Sequence, residues 1–245
     1  MSKVFTKPKS MADVPMHYCP GCGHGIVHRL IAECLDEAGA AGNAIGIAPV
    51  GCAVFAYRYY KCDFLQAAHG RAPAVATGVK RARPDSLVFA YQGDGDFASI
   101  GAAESLHAAA RGEHITLIFI NNGIYGMTGG QMAPTTLMGQ KTSTSQSGRT
   151  AAQGYPIKVS EIYSQLSAPG YIARTSVHDV KNVLNTKKAI AKGFEVQKAK
   201  KGFSLIEILT GCPTNFHITP QQSLDFIKDA AIKEYPLGTF KDVTL

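Results

Sequence analysis

The stretch Leu87 to Gly130, LVFAYQGDGDFASIGAAESLHAAARGEHITLIFINNGIYGMTGG, leaves this chain few ways to fold. An apolar run reaches Gly93-Asp94-Gly95, a helical pattern follows, and a second apolar run ends at Asn121-Asn122. Strand, helix and strand in that order bring both strand ends to one edge of a sheet. That edge receives a carboxylate set between two glycines and a side-chain amide. Glycine lets backbone approach a phosphate closely, and Asp94 and Asn122 offer hard oxygen ligands. An Asp beside a diphosphate repels it unless a divalent cation lies between them. The stretch reads as a site for a diphosphate held through a metal ion.

A nicotinamide or flavin dinucleotide is the competing ligand. Gly93-Asp94-Gly95-Asp96-Phe97-Ala98 fits G-x-G-x-x-A between a strand and a helix. That fingerprint requires an acid about 20 residues on to bind ribose, whereas the next strand here ends in Asn121 and Asn122. Asp94 and Asp96 also put two carboxylates into a turn where a bare pyrophosphate wants only donors. The Asn pair favours the metal-held diphosphate.

At 245 residues, 45% hydrophobic and 18% charged, the chain suffices for one large α/β domain spanning 1–245 with a substantial core. No apolar run approaches the ~20 residues of a spanning helix, and MSKVFTKPKSMADVPMHY lacks the apolar centre of a secretory signal. A cytoplasmic protein without membrane association is expected. The net charge of +7 is scattered, with no helix-turn-helix, zinc-finger or RNA-recognition motif, so no nucleic-acid partner is expected. The plain reading is a solvated surface; a second is attraction to acidic partners or to an anionic cofactor.

Periodicity predicts helices over 25–38, 72–83, 98–111, 160–166 and 177–200. It predicts strands over 44–50, 87–92, 114–120, 171–176 and 203–209. Such alternation implies an α/β fold, a mostly parallel sheet with helices on both faces. Open sheets of this class bind ligands outside the carboxyl ends of their strands. Cys52, Asp94, Asn122 and Cys212 each follow an expected strand, so all four belong to one edge. The segment 122–158 has little periodicity and is read as a lid, cofactor cover or subunit contact. Residues 220–245 read as a tail wrapping the domain or a partner.

Six cysteines lie at 19, 22, 34, 52, 62 and 212. In a cytosolic α/β chain they point to metal binding or catalysis rather than disulfides. The turn 19–24, Cys19-Pro-Gly-Cys22-Gly-His24, aims two sulfurs at one ion, as zinc ribbons and iron–sulfur sites do, although thioredoxin-like pairs share the spacing. Cys34 falls on the apolar face of a helix and reads as core. Cys62 is the alternative to Cys52 as a ligand.

The motif GDG…NN, continued as NNGIYGMTGGQMAPTT and joined to YCPGCGHG near the N-terminus, resembles the thiamine-diphosphate-binding beta subunit of 2-oxoacid:ferredoxin oxidoreductases. The wording HYCPGCGHGIVHRLIAE with IAPVGCAVFAY looks closer to the branched-chain (2-oxoisovalerate) type, and the likeness runs from Cys19 to Cys212. It implies the thiamine-diphosphate-binding fold, with Mg²⁺ held by the side chains of Asp94 and Asn122 and the carbonyl of Ile124. It implies a cofactor cradle of Gly93, Gly95 and Asp96, the loop of Tyr125, Gly126, Met127 and Thr128, and His69 and Gly70 beside it. It also implies one [4Fe–4S] cluster on Cys19, Cys22, Cys52 and Cys212. Zinc suits four thiolates equally, but it accepts no electrons, and oxidative decarboxylation must pass electrons on.

His69 and Arg71 are candidates to donate to phosphate or to a substrate carboxylate; the plainer reading is a packed His and a surface Arg at a helix start. His24 is assigned to orienting the cluster turn, His107 to helix packing, and Glu104 to a structural place mid-helix. By the resemblance, the Glu that activates the aminopyrimidine comes from an alpha subunit, so the catalytic residues of this chain are unknown and it is inactive alone. Gamma and ferredoxin-like delta subunits and ferredoxin complete the expected partners. The expected reaction converts a 2-oxoacid and coenzyme A to acyl-CoA and CO₂, with electrons passing through the cluster to ferredoxin. Some members acting on 2-oxoglutarate carry a Lys where Gly129 stands, and burying a distal carboxylate without a cation is costly. An uncharged substrate such as 2-oxoisovalerate is therefore favoured, with pyruvate and 2-oxoglutarate open. The other readings are a non-redox thiamine decarboxylase or synthase subunit with structural zinc, and a non-catalytic metal-binding scaffold.

Overall fold

Strands buried on both faces are written as unbroken apolar runs, and here such runs form the centre of a seven-stranded sheet. The computed structural model describes residues 6–244; the first five residues of the basic N-terminus and Leu245 lie outside them. The chain passes through α1 (His24–Glu37), β1 (Ala44–Ala48), β2 (Asp63–Gln66), α2 (Ala72–Ala82), β3 (Leu87–Gly93), α3 (Ala102–Ala110) and β4 (Thr116–Asn121). A hairpin of β5 (Ile124–Tyr125) and β6 (Gln131–Met132) precedes α4 (Val159–Ser164), β7 (Tyr171–Ser176), α5 (Val180–Lys198) and β8 (Ser204–Leu209). The C-terminal segment adds α6 (Pro213–Phe216), α7 (Pro220–Phe226), α8 (Ile232–Glu234) and β9 (Gly238–Asp242).

The strand order is β2-β1-β3-β4-β8-β7-β9. Every pair in it is parallel except β7 with β9. Alternate residues of the central strands serve opposite faces. Phe89, Tyr91, Ile118, Ile120, Ile206 and Ile208 pack with α1 and α5. Val88, Ala90, Leu117, Phe119 and Leu205 pack with α2, α3 and α4. This is the three-layer α/β arrangement that the alternation requires. Phe119 is fully buried and stacks on Phe97 with centroids 4.8 Å apart, so truncating it to Ala costs about 3–5 kcal/mol.

Several elements differ from their expected form for identifiable reasons. The helix expected over 98–111 is broken into a π turn, Asp96–Ile100, and α3, because the backbone of Gly70 crosses Gly101. A Cβ on Gly101 would lie 2.5 Å from the Gly70 carbonyl oxygen. The helix expected from 177 starts at Val180, where Asp179 caps it by accepting from the Asn182 N–H. Strand β2 is largely exposed and lacks apolar alternation, so nothing in its four residues announced a strand. The segment 122–158 is ordered rather than featureless. Buried Arg149 binds it together by donating to the carbonyls of Pro134, Thr136, Gly154 and Tyr155. The segment from 220 returns onto its own domain: β9 extends the sheet, and Ile227, Ala231 and Tyr235 pack on Leu209.

Candidate active site

Strand β1 leads outward to β2 on one side, while β3 leads to β4 on the other, which opens a crevice at their carboxyl ends. Val50, Gly51 and Cys52 follow β1 into it, Gly93 to Asp96 follow β3, and Asn122 to Thr128 follow β4. Three strand ends written far apart thus line one cleft.

Asp94 is buried at its base. Its Oδ2 accepts from the Gly123 N–H at 2.7 Å, the Ile124 N–H at 3.2 Å and the Thr135 hydroxyl at 2.7 Å. Its Oδ1 accepts only from the Gly95 N–H, at 2.9 Å, among the described residues. Burial pushes the carboxyl up to about 6, against the pull of these donors. No lysine or arginine of the described residues pairs with it. Asn122 stands beside it and accepts from the Ile124 N–H at 3.2 Å. The other asparagine faces away: Asn121 donates to Glu207 at 2.8 Å, inside the sheet.

Asp96 behaves differently from Asp94. Its Oδ1 accepts from His69 Nδ1 at 2.5 Å, the Gly70 N–H at 2.9 Å and the Val50 N–H at 3.2 Å, and its Oδ2 accepts from Gln92. It lines the cleft, but its oxygens are engaged in tying β1, β3 and the His69-Gly70 turn together. His69 is held against the cleft by this carboxylate. Arg71 is not: it ion-pairs with Glu104 on α3 and does not line the cleft, because the helix start at Ala72 turns it outward. His107 is exposed rather than packed.

The cysteines divide cleanly. A Cβ on Gly126 would lie 3.2 Å from Cys52 Sγ and 3.7 Å from Cys212 Sγ, so both sulfurs converge on the loop after β5. Asn215 clamps that junction, donating to the Gly126 carbonyl at 2.8 Å and to Cys212 Sγ at 3.3 Å. Burial pushes the Cys22 thiol up to about 11 and the Cys52 thiol up to about 12, and each feels Cys19 and Cys212 as neighbours. None of the six is in a disulfide. Among the described residues no three His, Cys, Asp or Glu side chains close on a point tightly enough for one ion. Cys34 is buried in the core, donating to the Lys187 carbonyl, and Cys62 sits by Asp63 and Gly46, outside this set. Beneath the set, His24 stacks on Tyr18 and bonds Tyr91 at 2.6 Å, and burial lowers its ring to about 3.

Residues 49–208 match the family described as thiamine pyrophosphate enzyme, C-terminal TPP binding domain. The chain belongs to this family. Among its relatives, a 2-oxoglutarate synthase subunit KorB of Methanocaldococcus jannaschii is 37% identical over 89% of this chain and 79% of its own length. A ketoisovalerate oxidoreductase subunit VorA of Methanothermobacter thermautotrophicus is 47% identical over 98% of this chain and 53% of its own length. The chain thus spans about half the length of the first curated relatives it matches. Among solved structures, a 2-oxoglutarate:ferredoxin oxidoreductase from Magnetococcus marinus, with 2-oxoglutarate, coenzyme A and succinyl-CoA bound, superposes with a TM-score of 0.81. That match is 26% identical and covers all of this chain and 87% of the other. The chain is thus a member of the thiamine pyrophosphate enzyme family that is similar to subunits of 2-oxoacid oxidoreductases.

The residues present fit the cofactor of that family. A buried, uncompensated carboxylate with one lightly used oxygen is a natural cation ligand, and a cation in turn tolerates a diphosphate. Gly95 is required for a concrete reason: a Cβ there would lie 2.0 Å from the Tyr125 ring. Sequence reasoning missed Thr135, Asn215 and Glu207. All three act through partners that are remote in the chain, and none has a local pattern that marks it.

Proposed function

We propose that this chain forms the thiamine-diphosphate half of a CoA-acylating 2-oxoacid:ferredoxin oxidoreductase, as a single cofactor-binding domain, and that it works in the cytoplasm. In this reading Asp94 Oδ1, Asn122 and the Ile124 carbonyl hold Mg²⁺ and through it the diphosphate. Cys19, Cys22, Cys52 and Cys212 hold a [4Fe–4S] cluster. When bound, thiamine diphosphate supplies the electron sink for loss of CO₂ from a 2-oxoacid, and the cluster takes electrons singly. The observation that carries the proposal is the junction at Gly126, where the loop leading from Asn122 meets Cys52 and Cys212. Cofactor and electron acceptor then share one loop.

The chain's own residues have defined tasks. Three donors fix Asp94 Oδ2, which leaves Oδ1 toward the cation. His69 donates Nδ1–H to Asp96, leaving Nε2 for a substrate or for phosphate. Cys52 and Cys212 converge at Gly126 beside the cofactor loop, and an iron–sulfur cluster there could accept electrons, whereas zinc could not. No Glu of the described residues lies against the cleft, so the group that activates the aminopyrimidine is assigned to an alpha partner subunit. Gamma and delta subunits and ferredoxin are the further partners. Among the described residues no helix is long and apolar enough to cross a membrane.

For the substrate, we favour a branched, uncharged 2-oxoacid such as 2-oxoisovalerate. Gly129 has φ +104°, a conformation that a lysine adopts only with strain, so the loop is shaped without a cation at that place. The ketoisovalerate relative supports the same choice. The test is anaerobic purification of the assembled complex, metal and sulfide analysis, and turnover of 2-oxoisovalerate, pyruvate and 2-oxoglutarate with coenzyme A and ferredoxin. Iron and sulfide with a preference for 2-oxoisovalerate are expected. A colourless zinc protein would sink the electron-transfer reading, and a preference for 2-oxoglutarate would sink the substrate choice.

A further inference from the structure

The motif Ala133-Pro134-Thr135-Thr136 follows the cofactor loop, and the reading above uses it only for one donor to Asp94. Its two hydroxyls nevertheless point back at the metal-ligand loop. Thr135 is fully buried and donates to Asp94 Oδ2 at 2.7 Å, and Thr136 donates to the Gly123 carbonyl at 2.6 Å. The Thr135 carbonyl in turn accepts from the hydroxyl of Tyr235, at 2.8 Å, in the C-terminal segment. Tyr235 is itself buried, and its ring lies under the Arg174 guanidinium at 5.2 Å. Arg174 pairs at 2.8 Å with Glu207, the carboxylate that accepts from Asn121, next to Asn122. The C-terminal segment thus reaches both sides of the candidate metal site through buried polar contacts.

We propose that Thr135 is a positioning residue for Asp94, and that Tyr235 fixes Thr135, so that docking of the C-terminal segment sets the site's affinity for Mg²⁺ and diphosphate. The argument rests on the assignment of Asp94 as a ligand. A buried carboxylate can rotate about its last bond, and only one of its oxygens is needed for a cation. The Gly123 and Ile124 N–H groups lie on one segment and move with it. Among the described residues, the Thr135 hydroxyl is the one donor to Oδ2 from outside that segment. It therefore locks which oxygen faces the cleft. Tyr235 gives that lock a fixed base, because Thr135 sits in an irregular stretch with no strand or helix of its own.

The experiment measures the Mg²⁺ concentration that half-saturates thiamine diphosphate binding in the assembled complex, by equilibrium dialysis, with melting temperature as a folding control. Thr135→Val keeps the shape and removes the hydroxyl; it should raise the Mg²⁺ requirement about tenfold, the size expected for a hydrogen bond to a charged group. Thr135→Ser should restore it to within about twofold. Tyr235→Phe should raise it about threefold alone and add nothing in the Thr135→Val background, the signature of a shared path. Asp94→Ala serves as the reference. If it loses binding while Thr135→Val binds as wild type, the positioning role is overturned and the ligand assignment stands. If Asp94→Ala also binds normally, the ligand assignment itself falls. If Thr135→Val does not fold, Tyr235→Phe decides: an unchanged Mg²⁺ requirement overturns the link.

Discussion

The two halves of the cleft meet at Gly126 and are built on opposite principles. On the Asp94 side, backbone N–H groups and a hydroxyl hold the ligand in place before any metal arrives. On the cysteine side, thiols come from three remote segments, Cys19 exposed and Cys212 buried, and burial raises Cys22 and Cys52 far above neutral pH. A thiol so placed becomes a thiolate only when a metal supplies the charge. On the proposed assignment, the first half is held by hydrogen bonds without a metal, and the second takes its charge from one. One loop joins the two.

The sharpest way to break this comparison is to remove one half and measure the other. Cys212→Ser or Cys52→Ser should abolish iron retention under anaerobic conditions, while thiamine diphosphate still binds by dialysis; joint loss would mean that the halves are not separable. Asp94→Ala should weaken thiamine diphosphate binding about a hundredfold with iron content unchanged, since it removes a charged ligand outright. Equal retention would refute the Mg²⁺ assignment. Gly126→Ala probes the joint, because its Cβ would crowd Cys52 Sγ at 3.2 Å. It should destabilise by about 1–3 kcal/mol in denaturant titrations and reduce both iron and cofactor, an effect confined to one half arguing against a shared loop.

The smallest effect concerns the aromatic bed beneath the cysteines. Burial holds His28 well below the usual histidine value, and Tyr18 bonds its Nε2 at 2.8 Å. Above pH ~6.5 the ring is neutral whether the chain is folded or not. As pH falls below that, the unfolded chain takes up a proton that the folded one refuses, so stability declines. The slope from this residue is about 1.4 kcal/mol per pH unit. His28→Gln should remove that share from the pH dependence of chemical denaturation between pH 5 and 7, and an unaltered slope would show that the ring is protonated in place.

How much of this was legible in the chain itself varies with the physics. The central strands were readable because double burial writes them as apolar runs, and Asp94, Asn122 and the cysteines because strand ends bring remote residues to one edge. Arg71 was left between a phosphate donor and a surface Arg, because its position before a helix said nothing of Glu104, thirty-odd residues away on a neighbouring helix. The bonds by which Asp96 ties the His69-Gly70 turn to the strand ends were not legible, because a motif records spacing but not which way a carboxylate turns. Strand β9 and the bracing role of Tyr235 were invisible for a related reason. An edge strand needs no strong pattern, and a single hydroxyl bonded to a distant carbonyl leaves no trace in local sequence.

Strand β8 comes late in the chain, yet it lies between β4 and β7 in the sheet. During synthesis β4 is finished long before its neighbour exists. Its Thr-Leu-Ile-Phe-Ile edge then stays open, apolar and able to pair with any passing strand. A growing polypeptide of this kind has a vulnerable interval that ends only when Ser204–Leu209 slots in. Cys212, three residues beyond that strand, cannot meet Cys52 at Gly126 before β8 is made, so on the proposed assignment the full set of thiols exists only once the sheet can close.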